Sequence, residues 1–364
     1  MKRFKSNYFN IIEFENTHSK VWDKFNLSSN HGWLWHTSDV LKAKSEWENY
    51  KNLSFFILDN SNKNEIVAII PLFFVKNIKF YFNYSRLESN GGPIIKEGLT
   101  IMKKKKLIRK IKDEFNRLLI KYKANKLELS RSSLPFIKNI EEELNNTPFS
   151  IYTDKNFNES TWIIELFSKN INQIFNSFDN KTKNIIKKSS IESLNVKEIK
   201  LSNQTIINNY YKLHIQTYKR NKIKPHKKEY FSYIIKNMID KHAKIYQVYK
   251  GKELLSMMIF GIYKNSAIYW TNACSLNGLK YGANYFGIWE VIKKFKKMKL
   301  SFFELGEAFE SSINKKKLGL NHFKKGFGCK SYPYYKSEII KSKYKDLLTQ
   351  ILYNLKNDIT NKDV

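Results

Sequence analysis

Glu253-Leu-Leu-Ser-Met-Met-Ile-Phe260, Ser266-Ala-Ile-Tyr-Trp-Thr271, Gly278-Leu-Lys-Tyr-Gly282 and Ser301-Phe-Phe-Glu-Leu-Gly306 decide how this chain folds. The first two are short apolar runs joined at Lys264-Asn265 and read as a strand hairpin. From about Tyr281 to Lys299, the residues Tyr281, Tyr285, Ile288, Ile292 and Phe295 recur at the spacing of one helix face. Lysines gather toward the C-terminal end of that helix, where its dipole favours cations. The fourth run is again a strand, and Phe323-Lys-Lys-Gly-Phe-Gly328 follows after a linker. Strand, strand, glycine turn, helix, strand is an order suited to an anionic ligand. The first N–H groups of a helix lack partners within it, and its dipole favours negative charge there.

Working outward, the first half repeats this order. Glu65 to Ile70 and Ile78 to Phe82 read as strands, Asn90-Gly-Gly-Pro93 as a turn, Ile101 to Tyr122 as a helix and Lys126 to Leu129 as a strand. Ile108, Ile111, Phe115, Leu118 and Tyr122 share one face of that helix. The expectation is two copies of one mixed α/β unit with a cleft between them. Residues 1–165 and 166–340 form the two domains, and residues 341–364 a terminal helix and polar tail. Between the copies, Asn170 to Ser190, Tyr210 to Lys219 and Lys227 to His242 read as helices.

Whole-chain numbers narrow the class. With 364 residues, 42% of them hydrophobic and including 26 Phe, 22 Tyr and 7 Trp, two packed cores are affordable and disorder is excluded. Two cysteines, Cys274 and Cys329, make no disulfide framework and suit a reducing compartment. The basic N-terminus is followed by no apolar stretch. The longest apolar run, Ile66 to Val75, falls far short of the roughly 20 residues that cross a bilayer. The expectation is a cytoplasmic protein, with peripheral contact at the inner membrane face.

Net charge is +32 and unevenly placed: +8 over residues 1–165 and +24 over 166–364. Richness in Lys, Asn and Ile accounts for part of this as genome composition, but not for the asymmetry. An anionic partner for the second half follows: a phosphorylated cofactor, a lipid headgroup or RNA. Lys181–Lys188, Lys219–Lys228 and Lys315–Lys325 are the segments expected to form a basic groove. No G-x-x-x-x-G-K-[ST], H-E-x-x-H or G-x-S-x-G occurs, which removes the usual signatures of triphosphate hydrolysis, zinc proteolysis and serine hydrolysis; no metal is expected.

Two features carry chemistry. Glu304 and Glu307 stand at a strand end, where an open sheet has its crevice and a buried carboxylate can act as general base. A strand-end Glu is also a common structural residue. In Phe323–Gly328, two glycines permit close approach and Lys324 supplies charge. A strand beside solvated lysines has the same composition.

Taken together these segments resemble the GNAT-type acyltransferases. More closely they are similar to the branch holding the Fem-type peptidoglycan interpeptide-bridge aminoacyltransferases and their acetyltransferase-like relatives in polysaccharide biosynthesis. The passages that carry the resemblance are Ser177–Lys188, His214–Arg220 with Tyr230-Phe231, Gly278–Trp289, and Phe303-Glu-Leu-Gly306 followed by Phe323–Gly328. The departures are Lys183 where an arginine is common, Glu304 in place of an aspartate, and a pyrophosphate loop that is not intact at Gly278–Gly282.

The resemblance implies tandem GNAT-like domains and transfer of an acyl group from acyl-CoA or aminoacyl-tRNA. The acceptor is an amine of a small-molecule or lipid-linked cell-envelope precursor, such as a peptidoglycan peptide or amino sugar. It implies Lys324 and Glu304 as catalytic residues, with Tyr218, Arg220, Lys183, Trp270 and Tyr285 binding substrate. Gly278, Gly282 and Lys280 hold the donor phosphate, and tRNA is a partner. The competing class is a non-catalytic protein that binds RNA or an anionic membrane surface through bulk charge.

Overall fold

The structure, a computed structural model, describes residues 8–62, 64–79, 82–134, 149–153, 155–309 and 314–341, together with 344, 347 and 351. The terminal helix expected over Lys341 to Leu355 lies almost wholly outside the described residues. Two compact units emerge: unit 1 is 1–45, 49–158 and 334–364, and unit 2 is 46–48 and 159–333. Both are mixed α/β.

Unit 1 contains β1 (Phe9–Glu13), α1 (Ser19–Ser28), α2 (Ser38–Ser45), β2 (Tyr50–Asn52), β3 (Phe55–Asp59), β4 (Glu65–Ile70), β5 (Phe73–Lys79), β6 (Phe82–Asn90), β7 (Ile94–Ile95), α3 (Ile101–Lys121) and β8 (Lys126–Ser132). β9 (Lys155–Glu165) leads into unit 2. There follow α4 (Ile171–Asn176), α5 (Asn180–Ile191), β10 (Leu194–Ile199), α6 (Gln204–Arg220), α7 (Lys228–Asn237), β11 (Ala243–Lys250), β12 (Glu253–Tyr263), β13 (Ser266–Cys274), α8 (Leu276–Lys280), α9 (Ala283–Lys297), β14 (Phe302–Ala308), α10 (Lys315–Lys325) and β15 (Lys330–Ile340).

In unit 2 the strands run β10-β11-β12-β13-β14-β9, all neighbours antiparallel except β13 and β14. A parallel neighbour needs a crossover, which α9 supplies. Its residues Ile288, Val291, Ile292 and Phe295 are buried against Tyr246, Met258, Phe260 and Phe303. Asn170 and Asp179 cap two separate helices by accepting the backbone N–H of Gln173 and Thr182. The stretch read as one helix is therefore two, divided by a second N-cap.

Unit 1 repeats the arrangement. β2, β5, β6 and β8 are consecutive, with hairpin β5–β6, crossover helix α3 and β8 parallel to β6. Leu107, Ile111, Phe115 and Leu118 of α3 pack on Leu87, Leu127 and Leu129. Residues 60–130 and 250–306 thus share a topology, with one change of partners. The counterpart of the β12–β13 hairpin is β5–β6, whereas β4 belongs to a separate sheet ordered β1-β3-β4-β7.

The expected domain limit at residue 340 also moves. Tyr334–Ile340 of β15 pair antiparallel with β8, so unit 1 is completed by the far end of the chain.

Candidate active site

β13 and β14 are paired only at Ser266–Ile268 with Phe302–Glu304, although both strands continue. Directly beyond, each carries a bulge. Trp270 is the extra residue of β13 against β12, where Ile259 faces Thr271 and Phe260 faces Tyr269. Leu305 is the extra residue of β14 against β9, where Glu304 faces Ile163 and Gly306 faces Trp162. A bulge bends its strand and breaks the ladder, and the pairing of β13 with β14 ends where the two bulges begin. The corresponding pair in unit 1 stays joined over Arg86–Asn90 and Lys126–Ser130, and Arg86 Nε meets Glu128 at 2.8 Å across the seam.

On the β14 side, Glu304 is 1% exposed and accepts a 2.6 Å hydrogen bond from the Thr161 hydroxyl. Gly306 takes a left-handed φ of 88°, and Lys324 Nζ lies 3.5 Å from where its Cβ would be. That ammonium donates to the Glu307 carbonyl at 2.8 Å and lies over the Phe309 ring. Burial pulls the Lys324 pKa below that of an ordinary lysine, against the pull of Glu307 and Glu304. Lys324 and Glu304 are thus brought together around one strand end.

The motif itself differs from expectation. Phe323–Lys325 close helix α10 and are not a strand. Lys324 is half-buried and Lys325 exposed because they occupy different faces of a helix turn. Nor are the glycines openings for a ligand. A Cβ on Gly326 would meet Thr182 Oγ1 at 2.4 Å, and one on Gly328 would meet the Ser177 carbonyl at 2.5 Å. The link from α4 to α5 occupies that space.

The same holds at Gly278 and Gly282. Gly278 packs against the Leu255 carbonyl, 2.5 Å from where its Cβ would be. Gly282 is left-handed and faces Ile185 and Ser189 of α5. Both glycines serve packing, and α5 covers the start of α9. Lys280 is exposed, its ammonium 5.8 Å from the Tyr281 ring centre.

The β13 side is aromatic. Trp270 Nε1 donates to Tyr230 Oη at 2.9 Å, and Tyr210 Oη shares a 3.0 Å hydrogen bond with Thr271. Tyr218 packs on His214, with ring centres 4.0 Å apart. Arg220 donates to the Cys274 carbonyl at 3.2 Å, beside Thr217, whose hydroxyl serves both the N–H and the carbonyl of Cys274. Tyr285 instead packs on Phe323 and Phe327, and Lys183 reaches back to the Asn176 carbonyl at 3.5 Å. These two belong to the α4–α5–α10 side.

Missed from the sequence was the wall beyond Tyr218. His226 stacks on Trp47 with ring centres 4.8 Å apart, and its backbone N–H donates to His214 Nε2 at 3.1 Å. Burial and then His226 hold His214 at about 4, so it is neutral at physiological pH. The spacing His214-x-x-x-Tyr218 puts His214 on the helix face of the already named Tyr218 and could have flagged it. Trp47 lies far away in the chain, with no local signal.

The basic segments adjoin one another. The Asp179 N–H donates to the Gly326 carbonyl at 2.9 Å, joining α5 to the end of α10, and Lys316 Nζ reaches the Asn221 carbonyl at 3.4 Å.

No family model matches the sequence, and no curated protein does. Solved structures do. FemX superposes with a TM-score of 0.62 at 13% identity, covering 96% of this chain and 100% of its own. A tandem GNAT protein from the clavulanic acid biosynthesis pathway gives 0.53 at 6% identity, covering 92% and 99%. N-myristoyltransferase of Saccharomyces cerevisiae, solved with bound myristoyl-CoA, gives 0.51 at 12% identity, covering 91% and 79%. Two topologically matched units, with a crossover helix in each, accompany those superpositions: the chain has a tandem GNAT-like fold similar to that of FemX.

Proposed function

We propose that the protein is an acyltransferase whose reaction takes place where β13 and β14 part. The observation that carries this reading is the pair of bulges at Trp270 and Leu305, with Lys324 and Glu304 gathered at the β14 side. An extended donor fits between parted strands, where its amides replace missing ladder partners. A FemX-like fold, and a neighbour solved with myristoyl-CoA, support a thioester or aminoacyl-ester donor; the acceptor is an amine of an envelope precursor.

In the reaction the amine nitrogen bonds to the acyl carbon, and the C–S or C–O bond of the donor breaks. The proton given up by the amine ends on the leaving thiol or hydroxyl. Lys324 offers its remaining N–H groups to the oxyanion as it forms. Glu304 is the group closest in kind to a base, and its charge helps keep Lys324 protonated despite burial. Trp270, Tyr218 and Arg220 shape the acceptor side.

Mass spectrometry of ligands carried through purification, followed by a transfer assay with the donor class found, tests this. Amide formation that falls in Lys324→Ala supports it. A protein that forms no amide from acyl-CoA or aminoacyl-tRNA, with any amine acceptor, overturns it.

A further inference from the structure

One end of unit 2 presents aliphatic side chains to solvent. Ile191, the last residue of α5, is 83% exposed, and Leu276 and Leu279 on α8 are 71% and 49% exposed. The helices that carry them adjoin. The Ser189 hydroxyl donates to the Tyr281 carbonyl at 2.7 Å, fastening the last turn of α5 beside α8. Lys250 pairs with Glu192 and holds its ammonium 3.8 Å from the centre of the Tyr281 ring. Asn277 donates to Glu253 at 2.8 Å, fixing α8 against the turn between β11 and β12.

Lysines ring this surface. Lys187, Lys188, Lys252 and Lys280 are exposed around it, while Glu192 and Glu253 are each engaged by a neighbour. A single exposed leucine needs no explanation, but three together inside a cationic rim mark an interaction surface. RNA is bound by aromatic platforms and guanidinium forks. Here Tyr281 is half-buried beneath Lys250, and Lys187, Lys188, Lys252 and Lys280 supply the exposed charge. Aliphatic tips with ammonium groups beside them match the boundary between acyl chains and negatively charged headgroups. Among the described residues no helix is long and apolar enough to cross a membrane.

We propose that this end of unit 2 docks on an anionic lipid bilayer. Ile191, Leu276 and Leu279 enter the headgroup boundary, and Lys188, Lys252 and Lys280 face lipid phosphates. The proposal names a surface and holds whichever acyl group is transferred.

The test is co-sedimentation of the full chain with vesicles of mixed phosphatidylglycerol and phosphatidylcholine, and with vesicles of phosphatidylcholine alone. Binding to the mixed vesicles that weakens with added salt is expected, with little to the neutral ones. Replacing Ile191, Leu276 and Leu279 together by Ser weakens it by about tenfold or more, since partitioning follows buried apolar area. Leu276→Ser alone gives a smaller loss in the same direction, and Lys252→Glu a loss of about fivefold or more. All these side chains are exposed, so unchanged unfolding midpoints serve as the control. The proposal is overturned if the wild type ignores anionic vesicles, or if the triple Ser variant binds them as wild type does. It is equally overturned if a short RNA is the ligand whose binding these variants abolish.

Discussion

Lys324 sits between opposing influences. Burial favours its neutral form, while Glu307 and Glu304 favour the charged one, and burial wins. A lysine so placed can give up a proton more readily than one in water, yet still present N–H groups to a developing oxyanion. Lys324→Ala is expected to lose about 2–4 kcal/mol of transition-state stabilisation, like the loss of one preorganised donor. That is about 30- to 1,000-fold in kcat/KM. Lys325→Ala, on the exposed face of the same turn, stays close to wild type. Equal small losses in both, with matched unfolding midpoints, would remove Lys324 from the site. The glycines separate packing from ligand contact in the same way. Gly278→Ala drives a methyl into the Leu255 carbonyl and should cost about 1–3 kcal/mol in urea unfolding. Gly319→Ala, inside α10 with open space around it, should gain about 0.5–1 kcal/mol. If Gly278→Ala folds as well as wild type, the close approach is not what selects glycine there.

At the scale of elements, the seam of unit 1 is held by charge. Burial pushes the Glu88 carboxyl up, but Lys44 at 2.8 Å and Arg86 at 2.7 Å outweigh it and bring the pKa down to about 2. The folded value lies below the unfolded one, so this contribution is complete above about 4.5 and is lost as pH falls toward about 2. Glu88→Gln should cost about 1.5–3 kcal/mol near neutrality by giving Lys44 and Arg86 a neutral acceptor in place of a charged one, while Arg86 keeps its pair with Glu128. It should also flatten the pH dependence of stability within that window, read from urea midpoints. Elements of this kind differ in how plainly the chain announces them. α9 and α3 were legible because their apolar spacing is fixed by a single-faced contact with a sheet. β12 and β13 were legible because short apolar runs bounded by a turn have few alternatives. The parting of β13 from β14 was not, since a bulge is a matter of register between strands and leaves no mark in either alone. The Gly-Phe-Gly motif misled for a related reason. Glycine records that something comes close, and here it is α4 and α5 rather than a ligand.

For the whole molecule, unit 1 depends on residues at both ends of the sequence. Tyr335, Ser337, Glu338 and Ile339 of β15 are buried there, and Lys126 pairs with Glu338 at 3.1 Å. A chain ending at Pro333 should lose protease protection over β6 and β8, whereas one ending at Lys341 should keep it. Equal protection in both would show that β15 only decorates an edge.

The same arrangement sets a timetable at the ribosome. β8 is complete once Ser132 has emerged, but its partner strand is not finished until Ile340 has. At bacterial-like synthesis rates that interval is roughly 10–40 s. Throughout it one edge of a nascent sheet stays without its neighbour while all of 159–333 passes by. A strand edge left waiting is a template for wrong pairing between chains. Slowing translation after Ser132 should therefore lower the yield of native protein, and a factor that shields nascent sheet edges should restore it.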